Sequence, residues 1–101
     1  MANLNTVAKA DSTVLDPKII EKKYPEARII VLDDNFNTFK HVANCLETII
    51  PGMSRERSLK LAVEVDSEGS AVVWGGPLEQ AELYHQQLKS KGLTMAPIEK
   101  I

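Results

Sequence analysis

The chain has 101 residues, of which 44% are hydrophobic and 26% are charged, so we expect one small, ordinary globular domain. A net charge of -2 offers no basic surface for a polyanion, and we expect no nucleic-acid partner. The single cysteine, Cys45, excludes an internal disulfide. No apolar run near the start is long enough for a signal peptide or a membrane span. We therefore expect a cytoplasmic protein that does not enter a membrane.

The first part of the chain, residues 1–25, is polar and shows no sustained periodicity. This pattern predicts a flexible N-terminal arm, which is either a plain disordered tail or a functional segment. The remainder, residues 26–101, is predicted to form the core domain.

A β-branched apolar run at residues 27–32 predicts a first strand, buried on both faces. Apolar residues at helical spacing then predict a helix from about Thr38 to Ile50. Asn37 is its expected N-cap, because an asparagine side chain can accept a free N–H of the first turn.

The second half of the chain alternates further helices and strands. Ser54 is expected to cap a second helix at residues 55–66, and residues 70–74 predict a second strand. Pro77 suits the first turn of a third helix that runs to about Lys91, Gly92 suits its left-handed end, and residues 93–99 predict a last short strand. The order β-α-α-β-α-β predicts an α+β fold, in which three helices cover one face of a three-stranded, largely antiparallel sheet.

The stretch 33–37, DDNFN, places acids and amides between the first strand and the first helix. It starts like a calcium-binding loop, but that motif requires glycine where Thr38 stands and glutamate where Asn44 stands. His41 and Cys45 are four residues apart on a predicted helix, yet a structural zinc site needs about four ligands. We therefore expect no metal, a buried thiol and an exposed histidine.

Enzymatic chemistry is poorly supported by the sequence. There is no G-x-S-x-G motif, no cysteine or serine with a base nearby, and no glycine-rich phosphate loop. Asp33 and Asp34 are adjacent in an extended segment, so their side chains should diverge. We expect a protein that is not an enzyme and uses no cofactor. Acids and amides beside an apolar opening suit an ammonium group instead, because charge-assisted hydrogen bonds are strong.

The sequence resembles the ClpS family of adaptor proteins. VLDDNFNTFKHV is similar to the family's strand-to-helix motif V-N-D-D-[YF]-T-[PT]-M-x-x-V, and SRERSLKLAVEVDSEGSAVV is similar to its E-R-A-x-x-[LI]-M-x-x-V-H-x-x-G-x-A segment. PLEQAELYHQQLKSKGLTMAPIEK is similar to its third helix and C-terminal end. The resemblance covers roughly residues 27–100 and is greatest to the branch of oxygenic photosynthetic bacteria and plastids.

The resemblance implies an adaptor without catalytic activity. ClpS proteins bind substrates through a destabilising, usually large hydrophobic N-terminal residue, the N-degron. They deliver these substrates to an AAA+ Clp chaperone, ClpA or ClpC, which feeds the ClpP peptidase. The mobile N-terminal arm takes part in delivery, which would give residues 1–25 a role.

The family's functional positions are transferred to this chain through the matching motifs. The positions that bind the substrate's amine are Asp33, Asp34, Asn35 and Asp66. The positions at the rim and in the lining of the pocket are Asn37, Phe39, Val42, Ala62 and Val65. The positions that contact the chaperone are Glu79, Glu82 and Tyr84. Trp74 and Tyr84 are expected to lie in the core rather than at its rim, since large aromatic residues are mostly buried.

Several positions depart from the family pattern. Asp33 and Asp66 stand where the family has asparagine and histidine, and Phe39 and Ala62 stand where it has methionine. The additional carboxylates at the amine site still suit an ammonium group. The stiffer ring of Phe39 and the smaller side chain of Ala62 are expected to reshape the pocket. We expect an altered N-terminal preference.

Three alternatives stay open. In the first, Phe39 fills the space left at Ala62 and closes the pocket. In the second, the protein is a modulator that docks on the Clp chaperone and changes substrate choice without binding N-degrons. In the third, it is a small hydrolase that uses Asp33, Asp34 or Asp66.

Overall fold

The computed structural model describes residues 25–101, and the predicted arm, apart from Pro25, lies outside the described residues. Six elements follow one another in the predicted order β-α-α-β-α-β, which confirms the α+β fold. They are β1 (Glu26–Leu32), α1 (Phe39–Ile49), α2 (Arg55–Glu68), β2 (Ser70–Pro77), α3 (Leu78–Ser90) and β3 (Glu99–Lys100).

The three strands form one sheet in the order β2-β1-β3, and β1 is antiparallel to both neighbours. The predicted last strand, residues 93–99, is too long. Strand pairing is limited to Glu99–Lys100 and to an isolated bridge between Val31 and Met95. The interruption falls at Pro97, which has no backbone N–H to donate to the ladder.

The prediction that β1 is buried on both faces was wrong. Ala27, Ile29 and Val31 are at most 1% exposed, whereas Ile30, and Leu32 at the end of the strand, are only half-buried. The strand therefore turns alternate residues towards the core. An unbroken apolar run conceals this alternation, because the residues on both faces of the strand are apolar and look equally suited to burial.

Most helix ends follow the sequence signals, with two corrections. Thr38, not Asn37, is the N-cap of α1, and its hydroxyl accepts the N–H of His41 at 3.1 Å. Ser54 caps α2 as predicted by accepting the N–H of Arg57. Helix α2 continues two residues further than predicted, to Glu68, and ends at Gly69 with a φ of 89°.

The boundary between β2 and α3 lies at Pro77, which ends the strand and precedes the first helical residue. The second strand is thus longer than the predicted 70–74. Gly92 has the predicted left-handed backbone, with a φ of 92°. Within residues 25–101, none of the helices has the length and apolar character that a membrane crossing requires.

One apolar core joins the helices to the sheet. Its largest fully buried apolar side chains are those of Ile29 and Val31 on β1, Leu46 on α1, Val73 on β2 and Leu88 on α3. Helices α1 and α2 pack on each other, and α2 and α3 both contact β2. This packing fixes the end of β1 next to the end of α2, where the candidate site lies.

Candidate functional site

The loop that leaves β1 is organised around the carboxylate of Asp34. Its Oδ1 accepts the backbone N–H groups of Phe36 at 2.8 Å and of Asn37 at 2.7 Å. Its Oδ2 accepts the side-chain amide of Asn37 and the hydroxyl of Thr94, each at 2.6 Å. The backbone hydrogen bond from Asn37, followed by that from Thr94, holds the pKa of Asp34 well below its usual range. Asp34 is therefore a fixed, ionised group at neutral pH.

The same loop is joined to the end of α3. The side-chain amide of Asn37 also donates to the carbonyl of Gly92 at 2.9 Å, which explains why Asn37 is not the helix cap. His41 Nε2 donates to the carbonyl of Lys91 at 2.9 Å. Thr94 and Asp34 are 60 residues apart in the sequence, and no motif or periodicity pointed to Thr94, Gly92 or Lys91 as neighbours of the loop.

Two further acids of the predicted amine site lie at the C-terminal end of α2. The backbone N–H of Asp33 donates to the carbonyl of Gly69 at 2.9 Å, and Asp66 lies in the last turn of the helix. Asp33, Asn35 and Asp66 are all exposed. The structure thus anchors Asp33 at the helix end that carries Asp66, and leaves both carboxylates in contact with solvent.

The predicted lining positions lie in the core. Val42, Ala62 and Val65 are 6%, 2% and 3% exposed, respectively, and belong to the main apolar cluster. Phe39, the first residue of α1, is 43% exposed and is not among the half-buried side chains that pack against that cluster. Its ring therefore lies outside the core.

The predicted chaperone-contact residues differ in exposure. Glu79 and Glu82 are exposed and three residues apart on α3, so they share a helix face. Tyr84 is half-buried, and its ring meets that of Trp74 edge to face with centroids 5.1 Å apart. A Cβ atom at Gly76 would lie 2.6 Å from the Trp74 ring, so that ring leaves no room for a side chain there.

Cys45 is buried, as predicted, but His41 is half-buried rather than exposed. A ring nitrogen of His41 lies 3.5 Å from the Sγ of Cys45. Burial raises the pKa of the Cys45 thiol, although the charge of Lys91 opposes this shift. A depression of about 200 Å³ is lined by His41, Asn44, Cys45, Thr48, Ile49 and Lys91. Residues 25–101 contain no group of three or more His, Cys, Asp or Glu side chains that could hold a metal ion.

The comparisons with known proteins assign this fold and loop to a class, the adaptors of an energy-dependent protease. The family described as ATP-dependent Clp protease adaptor protein ClpS matches residues 22–96. The chain belongs to the ClpS family, which confirms the resemblance in its sequence.

Relatives named ATP-dependent Clp protease adapter protein ClpS include one from Synechocystis, 57% identical over 81 residues that cover 80% of this chain and 83% of the relative. One from Nostoc is 56% identical over 80 residues, which cover 79% and 82%. The chloroplastic adapter CLPS1 of Arabidopsis thaliana is 34% identical over 73 residues, which cover 72% of this chain and 46% of that protein. The similarity to photosynthetic bacteria and plastids is thus confirmed, and the chain is an adaptor of the Clp chaperone-protease system.

Proposed function

We propose that this adaptor binds cytoplasmic substrates by their N-terminal residue and delivers them to a Clp chaperone of the ClpC or ClpA type coupled to ClpP. The observation that carries the proposal is the anchoring of Asp33 at the end of α2, next to the turn that holds Asp66. The carboxylates of Asp33 and Asp66 and the amide of Asn35 are all exposed, so each is accessible to a ligand.

The chemistry of this edge suits a protonated amine. Carboxylate and amide oxygens accept the three N–H donors of an ammonium group and balance its charge. The C-terminal end of α2 adds the partial negative charge of a helix dipole. Because Asp33 and Asp66 are exposed, salt should weaken their attraction for the amine.

The apolar positions govern which first residue is accepted. The family's methionines are replaced by Phe39 and Ala62, so the space for the substrate side chain differs in shape as well as in flexibility. We propose an N-terminal preference different from that of adaptors that carry both methionines. Phe39, exposed at the start of α1, is the residue that would contact a first side chain entering between α1 and α2.

A second candidate function is favoured by a specific observation. Val42, Ala62 and Val65 are almost wholly buried, so the positions expected to line a pocket are closed to solvent. A protein with a permanently closed pocket would act as a modulator that docks on the chaperone, through Glu79 and Glu82, and changes substrate choice without binding N-degrons.

The deciding experiment is fluorescence anisotropy with labelled peptides that differ only in their first residue. The panel contains Leu, Phe, Tyr, Trp, Ile, Val, Met, Arg and Ala, with an N-acetylated version of each. The adaptor should bind a subset and lose it on acetylation. Asp66→Asn should weaken binding, whereas the matched variant Glu56→Gln, in the first turn of the same helix, should not.

Chaperone docking is measured separately, by the binding of the adaptor to immobilised ClpC with ATP. Glu79→Ala and Glu82→Ala should weaken it, and Glu47→Ala, on α1, should leave it intact. Chaperone binding without peptide binding would overturn the N-degron proposal and establish the modulator.

A further inference from the structure

The carboxylate of Asp34 is fully occupied by groups of the protein itself. A carboxylate offers about four lone-pair positions, and Asp34 accepts four hydrogen bonds, two on each oxygen. An ammonium group could gain a hydrogen bond from Asp34 only by displacing one of these donors. Asp34 therefore contributes negative charge to the loop, while direct contacts with an amine fall to its exposed neighbours Asp33 and Asn35.

The donor from outside the loop is held in place by the sheet. The carbonyl of Thr94 accepts the N–H of Leu32, the last residue of β1, at 2.8 Å. Its hydroxyl donates to Asp34 Oδ2 at 2.6 Å. Next to it, Gly92 accepts the side-chain amide of Asn37. The segment 92–94 thus connects the loop to β1 through contacts that are distant in the sequence.

Asp34 lies directly between Asp33 on one side and Asn35 on the other. Any displacement of Asp34 would move both neighbours, since they share its backbone. We propose that Thr94 is a positioning residue of the amine-binding site, which acts by fixing Asp34 and so sets where Asp33 and Asn35 point. This inference rests on the proposed N-degron function and assigns to it a residue outside the strand-to-helix motif of residues 31–42.

The test compares Thr94→Val, which keeps the shape but removes the hydroxyl, with Thr94→Ser, which keeps the hydroxyl. The affinity for the best peptide of the panel should fall about tenfold in Thr94→Val, because a hydrogen bond to a charged group is lost. It should stay near the wild-type value in Thr94→Ser. Thr94→Ala is a second variant without the hydroxyl, and Thr48→Val, on the exposed side of α1, is the matched control.

A second readout separates positioning from a general loss of stability. The pKa of Asp34, followed through its carboxyl carbon by NMR, should rise in Thr94→Val and Thr94→Ala but not in Thr94→Ser, because one of the causes that lower it is removed. The acetylated peptide supplies the background for every variant.

The outcomes distinguish this inference from the function on which it rests. If the wild-type protein binds no peptide, both fail. If the wild-type protein binds but Thr94→Val binds equally well, the N-degron function stands and the positioning role of Thr94 is overturned. Weak binding by Thr94→Val that Thr94→Ser does not rescue would overturn it too, because the hydroxyl would then not be the group that matters.

Discussion

Truncation of Phe39 to alanine decides whether its ring closes the pocket or stands outside it. Replacing a phenylalanine that fills a core by alanine lowers the stability of the protein by about 3–5 kcal/mol. Phe39 is 43% exposed and is not one of the buried residues of the main apolar cluster. A little over half of its surface is thus removed from water, and no cavity should be left behind.

The expected cost follows from that burial. Complete burial of a large apolar side chain is worth about 1.5–3 kcal/mol, so the part that Phe39 buries corresponds to about 1–2 kcal/mol. In a domain of this size, each kcal/mol lowers the melting temperature by about 4–8 °C. Phe36 supplies a control three residues away, because its side chain is 92% exposed. Phe36→Ala should change the stability by less than about 0.5 kcal/mol.

Urea unfolding followed by circular dichroism measures both variants. A loss of 3 kcal/mol or more in Phe39→Ala would refute this reasoning, since it would show that the ring fills the core. A loss near 1–2 kcal/mol, combined with acceptance of larger first residues in the peptide assay, would identify Phe39 as a gate on the site. Equal losses in the two variants would contradict the difference in exposure on which the estimate rests.

Three further predictions use the same unfolding measurement. Gly92→Ala should lower the free energy of unfolding by about 1 kcal/mol, because a left-handed φ of 92° strains alanine. Gly75 has no left-handed φ, so Gly75→Ala should show no such loss. Equal losses in the two variants would disprove the strain at Gly92. Thr38→Ala should lower the free energy of unfolding by about 1 kcal/mol, because the cap that accepts the N–H of His41 is removed. An unchanged free energy of unfolding would show that Thr38 does not stabilise the helix as its cap. The pKa of Asp34 is lowered in the folded state, so its contribution to stability is complete above its ordinary pKa of about 4 and is lost as the pH falls through the lowered value. The stability difference between wild type and Asp34→Asn should thus be constant from pH 7 to about pH 4 and decrease below that. A decrease that begins already at pH 6 would contradict the lowered pKa of Asp34 in the folded state.

The order of the elements could be predicted because several boundaries carry a local chemical signal. Ser54 precedes α2 and caps it, and Gly92 follows α3 with a left-handed backbone. These choices depend on one or two residues and their own backbone, so they are visible without any knowledge of the fold.

The candidate site could be predicted only in part, because its organisation depends on distant contacts. Asn37 and Thr38 are both good caps by residue type, and Asn37 is drawn away by Asp34 and by Gly92 at the end of α3. Thr94 reaches Asp34 across 60 residues, which only the folded sheet brings about. The acids could therefore be identified as a polar cluster. The sequence alone could not show that Asp34 is held by internal hydrogen bonds while Asp33 is exposed.

The edge-to-face pair of Trp74 and Tyr84 gives this adaptor an optical reporter of its own. Trp74 is the only tryptophan in the chain, and it lies half-buried against the helix that carries Glu79 and Glu82. Indole emission responds to the polarity and motion of its surroundings, so events on α3 should register at Trp74. The unlabelled protein can then report chaperone docking through Trp74, while a labelled peptide reports substrate capture.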